Sequence, residues 1–373
     1  MSEAALPEPD RAEGAPHPRE TVRLFGQGAA EAEFLDAYAT GRLHHGWLLT
    51  GAQGIGKATL VWRIARFLLA NQAAVEDGLF GAPPPPASLD VDPEHPIARR
   101  LRALSEPGLF LLRRGPNDKG DRLAQEIRVV EVRKLANFFA LSSADGGRRV
   151  VIVDAADELN TQAANALLKM LEEPPARTVM LLVAHQPSRL LPTIRSRCRM
   201  LRLGPLGAPD MARALEQAGI HPEGDPAALA ALAGGSVGAA VRIASLGGLA
   251  LYADWVALME SLPRLDRARA LRLAETAAMR GAEARRDLMF TLIDLFLARL
   301  ARTGATGVPP TIEAAKGEAA LLARLAPDPH RAQAWAALSE EVGARVRHGL
   351  SVNLDPAALL LDTVFRIKET AGG

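Results

Sequence analysis

Seven residues limit what this chain can fold into more than any others. Gly51-Ala52-Gln53-Gly54-Ile55-Gly56-Lys57 fits the pattern G-x-x-x-x-G-K. Glycines let backbone wrap closely around a phosphate. The loop amides and the N-terminus of the following helix then face the negative charge, and the lysine adds a cation. The flanks match this use: the apolar run Gly46–Thr50 precedes the loop, and an apolar-periodic segment from Ala58 to Leu69 follows it. Strand, loop and helix are therefore predicted in that order.

The same alternation continues. Phe110–Leu112, Arg149–Asp154 and Val179–Val183 read as buried strands. Glu31–Tyr38, Ile127–Phe139 and Thr161–Leu171 read as helices, the last stopped by Pro174-Pro175. Short apolar strands alternating with helices predict a parallel sheet with helices on both faces. After Gly204-Pro205 the pattern turns wholly helical, and its broadest apolar face lies over Glu283–Arg302. We expect four regions: a disordered N-terminal extension over 1–20, an α/β core over 21–204, a helical lid over 205–247 and a helical domain over 248–373. Ala82–Pro86 and Asp90–Pro96 are expected as an exposed connection. Asp355 before Pro356 marks a capped helix start.

Composition removes some classes. The single cysteine, Cys198, allows neither an intrachain disulfide nor a four-cysteine zinc site. A net charge of +1 says nothing for or against nucleic acid. No apolar run reaches the ~20 residues of a membrane helix. Met1–Pro18 lacks the apolar centre of a signal peptide.

The loop reads as a nucleotide site with weakened hydrolysis. Gly51, Gly54, Gly56 and Lys57 would hold phosphate, the expected ligand being ATP or ADP. The motif wants Ser or Thr after the lysine to place Mg²⁺, and here Ala58 stands there, with Thr59 one place late. Asp154, closing its strand, is the candidate acid for organising the metal. The adjacent place, where a glutamate would polarise water, holds Ala155. Asp157 and Glu158 read instead as a solvated helix start. Mg²⁺ is thus expected to be held weakly. His44-His45 reads as structural, Glu172-Glu173 as orienting a loop or interface, and Cys198 as a small buried residue.

Leu24-Phe25-Gly26-Gln27, His44–Leu49, the loop through Lys57, Asn165–Lys169, Leu171–Pro175 and Ser196-Arg197-Cys198 occur in this order. Together they resemble the delta-prime family of bacterial DNA polymerase III, which are clamp-loader AAA+ proteins. The resemblance covers roughly residues 20–245. It implies an AAA+ core, a lid and an oligomerising helical collar, in a five-subunit ring that places a sliding clamp on primed DNA. It also implies a cytoplasmic, replisome-associated location and no membrane partner. By the Ser-Arg-Cys match, Arg197 would act in trans on a neighbouring subunit's nucleotide, a role suited to a planar, permanently charged guanidinium. Related zinc modules need four cysteines that are absent here, so no zinc is expected. Motor subunits carry an arginine after Gly-Ser-x in the lid, whereas Gly235-Ser236-Val237 is followed by Gly238. The rival reading is an active motor subunit of the same complex or a related remodeller. Ala58, Ala155 and Gly238 all oppose it.

Overall fold

The computed structural model describes residues 8–12, 14–71, 86–141 and 147–372. Their contacts divide the chain into two units, the first comprising Met1–Ala218 with Gly235–Gly238, the second Gly219–Gly234 with Ala239–Gly373. The segment expected as a lid contributes to both.

The first unit is built on five parallel strands: β1 (Gly46–Thr50), β2 (Leu109–Leu112), β3 (Arg149–Val153), β4 (Thr178–Ala184) and β5 (Arg199–Arg202), in the order β2-β3-β4-β1-β5. Its helices are α1 (Gly28–Ala39), α2 (Lys57–Ala70), α3 (Pro96–Arg102), α4 (Val129–Leu141), α5 (Thr161–Glu172), α6 (Pro192–Ser196) and α7 (Ala208–Gln217). Every residue of β1 and β4 is buried, as strands covered on both faces must be. Leu48, Val151, Val153, Met180 and Leu182 form one face with Leu135 of α4 and Leu167 of α5. Side chains alternate across a strand, so Trp47 and Leu49 turn to the other face. There Trp47 meets Phe34 of α1, with ring centroids 5.1 Å apart.

The strand β5 was not predicted. Its sequence Arg-Met-Leu-Arg is too polar to stand out, and only Leu201 of the four is buried. It forms because Trp47–Thr50 of β1 offer it a parallel edge. α3 was also missed, beginning at Pro96 where an exposed connection was expected to end; of the proline run, residues 82–85 lie outside the described residues.

The expected disordered extension over 1–20 needs correction for its described part. His17 is fully buried, edge-on to Trp62 of α2 at 5.8 Å, with its Nε2 3.0 Å from Asp10. Arg113, just beyond β2, also pairs with Asp10. Low hydrophobicity hid this segment because it is held by ion pairs and one ring contact rather than by an apolar stripe.

Among its described residues the second unit's regular elements are all helices: α8 (Pro226–Ala233), α9 (Val237–Ser245, its first two residues counted in the first unit), α10 (Gly248–Glu260), α11 (Arg267–Ala278), α12 (Glu283–Thr306), α13 (Glu318–Leu325), α14 (Pro329–Ser351) and α15 (Pro356–Gly372). Asp355 caps α15 by accepting from Ala357 N at 3.1 Å. No single described helix is long and apolar enough to cross a membrane. The core holds one fully buried carboxylate, Glu318. It accepts from Arg299 Nε at 2.7 Å, Tyr252 Oη at 2.5 Å and Ala314 N at 2.7 Å. Removing it strands a guanidinium in apolar surroundings. Glu318→Ala is expected to cost the helical unit ~3–5 kcal/mol. Urea unfolding followed at Trp255 and Trp335, with Trp47 and Trp62 each changed to Phe, should show the loss.

Candidate functional site

All five strands point the same way, so their C-terminal ends share one edge, the usual ligand edge of an open parallel sheet. β1 delivers the loop 51–56 to that edge. Gly51, Gly54 and Gly56 have φ of +141°, +77° and +102°. A β-carbon at Gly51 would stand 2.6 Å from both Ile55 Cδ1 and Leu203 O, and one at Gly56 would stand 2.6 Å from Leu24 Cδ1. The motif glycines are thus required by conformation and by space. Gln27, from the Phe-Gly-Gln segment, braces the loop: its Nε2 donates to Ile55 O at 3.2 Å and to Gly204 O at 2.8 Å.

Lys57 opens α2 and is buried, with Nζ donating to Gly51 O at 2.7 Å and to Ala52 O. Burial lowers its pKa to about 8, against the opposing charges of Asp154 and Asp157. Asp154 follows β3 at the same edge. Burial, then the nearby carboxylates Asp10 and Glu158, raise its pKa to about 7, against Lys57 and Arg113. The cradle of amides and Lys57 fits a phosphate. It offers one fewer oxygen to Mg²⁺ than the motif usually does, because Ala58 stands where a hydroxyl would. Thr59 is half-buried in the first turn of α2.

Ala155 is buried, so no acid stands beside Asp154 at the glutamate position. Asp157 and Glu158 lie in a short 3-10 turn over Ala156–Glu158. The reading of a solvated helix start fails for Asp157, which is buried. Its carboxylate accepts from His185 N at 3.1 Å and Gln186 N at 2.8 Å, pinning the end of β4. Glu158 pairs with Arg114 at 2.8 Å. Both acids are occupied in holding structure.

His185, immediately after β4, escaped the sequence reading. Burial and the charge of Lys57 lower its pKa, against Asp157, and its Nδ1 has no hydrogen-bond partner among the described residues. The only available signal was its place, one residue beyond an apolar strand. The Gly-Ser-Val-Gly segment also reaches the loop. Ser236 Oγ donates to Gln53 O at 2.8 Å and Gly238 N to Gly54 O at 3.1 Å. A β-carbon at Gly238 would stand 3.1 Å from Gly54 Cα, so this position presses on the loop with bare backbone.

Arg197 sits elsewhere. It ends α6 with its side chain partly exposed, Nη2 2.7 Å from Glu172 Oε1 and Nη1 donating to Thr193 O at 3.1 Å. Glu172, expected to orient a loop or interface, is paired with this guanidinium. A β-carbon on Gly46 would meet Arg197 O at 3.2 Å, which fixes Arg197 at the N-terminal end of β1. The phosphate loop leaves the other end, ~16 Å along the strand at ~3.3 Å per residue. Arg197 and the loop are thus at opposite edges of one sheet. His45 is structural, its Nε2 2.9 Å from Leu171 O. Cys198 is half-buried, and burial raises its thiol pKa to about 12.

A family model described as "DNA polymerase III, delta subunit" matches residues 26–207. The delta-prime subunit of DNA polymerase III from Pseudomonas aeruginosa is 40% identical over 154 residues, 41% of this chain and 41% of the relative. Over this stretch the chain is similar to DNA polymerase III delta-prime subunits. The delta-prime subunit from Escherichia coli is 34% identical over 171 residues, 45% of each chain. A DNA polymerase III gamma subunit from Buchnera aphidicola is 26% identical over 194 residues, 52% of this chain and 47% of the relative. The chain spans less than half the length of the curated relatives it matches.

The buried charge on Lys57 has a measurable cost. Its lowered pKa means the folded state resists protonation, so the cost is full below about pH 8 and fades toward the ordinary lysine value of 10.5. Lys57→Met is expected to raise Tm at pH 7 by ~2–6 °C, with the gain shrinking by pH 10. The same variant should lose binding of a fluorescent ADP analogue. Calorimetry and fluorescence titration check the two effects separately.

Proposed function

We propose that this chain is a non-motor subunit of a bacterial replicative clamp loader, of the delta-prime type. It would sit in a five-subunit ring with other clamp-loader subunits, help load the sliding clamp onto primed DNA, and supply Arg197 in trans to a neighbour's nucleotide. One observation carries the reading. Arg197 stands at the sheet edge opposite the chain's own phosphate loop, yet an acid from α5 holds its guanidinium in position. A phosphate it serves therefore belongs to another chain. Such an arginine stabilises the charge that develops on the transferring phosphoryl group and completes a catalytic site it does not itself contain.

The chain's own site supports binding more than turnover. Gly51, Gly54, Gly56 and Lys57 would hold the phosphates of ATP or ADP. Asp154 and Thr59 are the remaining candidates for Mg²⁺, which would supply charge neutralisation at the phosphates when bound. Ala58 and Ala155 remove a metal oxygen and a water-polarising acid, and Asp157 and Glu158 are committed elsewhere. Gly238 brings no cation to the loop. The rival reading of a working motor requires all three absent groups to be dispensable, although phosphoryl transfer is almost entirely positioning and electrostatics. We place the protein in the cytoplasm with the replisome, the residues over 205–247 as its lid and those over 248–373 as its collar.

Two measurements test this. The purified chain alone should show negligible ATPase with primed DNA, and a turnover abolished by Lys57→Ala would favour the motor reading. In the reconstituted complex, Arg197→Ala should leave ring assembly by gel filtration unchanged. It should slow hydrolysis at the site it serves by ~10³-fold or more. Unchanged hydrolysis there would remove the trans role.

A further inference from the structure

Arg197 and Glu172 are both partly open to solvent, with side chains 37% and 41% exposed. An exposed ion pair contributes little and does not by itself hold a long side chain in one place. The pair is fixed through the backbone at its two ends: α5 carries the acid and the turn after α6 carries the guanidinium. One segment braces both ends. It is His44-His45-Gly46, where the chain enters β1.

α5 ends at Glu172, and the last carbonyls of a helix have no partner inside it. His45 supplies one, with Nε2 2.9 Å from the carbonyl oxygen of Leu171, the neighbour of Glu172. A carbonyl only accepts, so Nε2 carries the proton and donates. Histidine is suited to such a terminal carbonyl. The ring is held in turn by His44, stacked on it at 4.4 Å with 26° between the planes. The main chain of this segment is tied down as well. His45 O accepts from Met180 N at 2.6 Å, and His44 O accepts from Trp47 Nε1 at 2.9 Å. One residue on, a β-carbon at Gly46 would stand 3.2 Å from both Arg197 O and Leu171 Cδ2, and 3.4 Å from Cys198 Sγ. Bare backbone at Gly46 lets the segment fit between the carrier of the acid and the carrier of the guanidinium.

We propose that His45 is a positioning residue for Arg197. It acts through Leu171 O, which fixes the end of α5, so that Glu172 holds the guanidinium in one orientation toward a neighbour's phosphate. His45 itself touches neither nucleotide nor the reacting atoms. The role rests on the trans reading of Arg197 given above. A charge of this kind is effective because it is held in place beforehand. A small displacement therefore weakens stabilisation of the transition state more than it weakens assembly or nucleotide binding.

The test measures hydrolysis in the reconstituted complex, at the site Arg197 serves. His45→Leu is expected to lower kcat there by ~10–100-fold with KM unchanged. His45→Gln, whose amide nitrogen keeps a donor near the place of the imidazole Nε2, should restore most of the rate. In an Arg197→Ala background His45→Leu should cost nothing further. His45→Asn, whose amide is too short to reach Leu171 O, serves if the leucine variant does not fold. The free chain gives a second readout that needs no nucleotide. Its only cysteine, Cys198, adjoins Arg197 and packs against Gly46. Losing the His45 hydrogen bond should speed labelling of that thiol by ~5-fold, the effect of one bond on a local opening, and His45→Gln should not. A rate loss that persists undiminished in the Arg197→Ala background overturns the proposal. So does full activity of assembled complexes carrying His45→Leu, or unchanged labelling. If Arg197→Ala alone changes nothing, the trans reading fails and this role falls with it.

Discussion

The parallel pairing of β1 with β4 on one side and β5 on the other is the constraint on which the rest depends. It fixes one polarity for every strand. Each strand's C-terminal end then opens at one edge, where Lys57, Asp154 and His185 converge although they are far apart in sequence. Each N-terminal end opens at the other edge, where Arg197 is anchored beside Gly46. An antiparallel strand at β1 would exchange these positions. The division between a phosphate-holding edge and an arginine-presenting edge is thus a consequence of strand direction.

In the proposed reading, the groups missing from the nucleotide site agree with each other at the level of single atoms. Ala58 removes an oxygen, Ala155 removes a carboxylate, and Gly238 brings backbone where a charged side chain would otherwise stand. The two acids closest in sequence do other work. Asp157 receives the amides that end β4, and Glu158 holds Arg114. What remains under that reading is a loop suited to phosphate, braced by Gln27 and by Ser236.

Much of this was legible before any coordinates. Gly46–Thr50, Arg149–Val153 and Val179–Val183 are apolar runs of strand length bounded by glycine, acid or proline, and they form the centre of the sheet. The phosphate loop was legible because close backbone approach leaves a glycine signature that few other demands produce. β5 was not legible, since an edge strand needs only one buried residue and borrows its order from β1. The N-terminal segment was misread because ion pairs between Asp10, His17 and Arg113 carry no periodic signal. Asp157 was misread for a related reason: its partners are backbone amides nearly thirty residues away. His185 was overlooked because its meaning lies in what surrounds it.

The central claim is that Arg197 faces another subunit's nucleotide. Its most direct measurement is site-specific photo-crosslinking from position 197 in the assembled complex, with a photoreactive group replacing the arginine and the products mapped by mass spectrometry. The account predicts crosslinks to residues lining the phosphate loop of an adjoining subunit, protected by bound nucleotide. Crosslinks confined to this chain, or to a neighbouring surface that nucleotide does not protect, would contradict it.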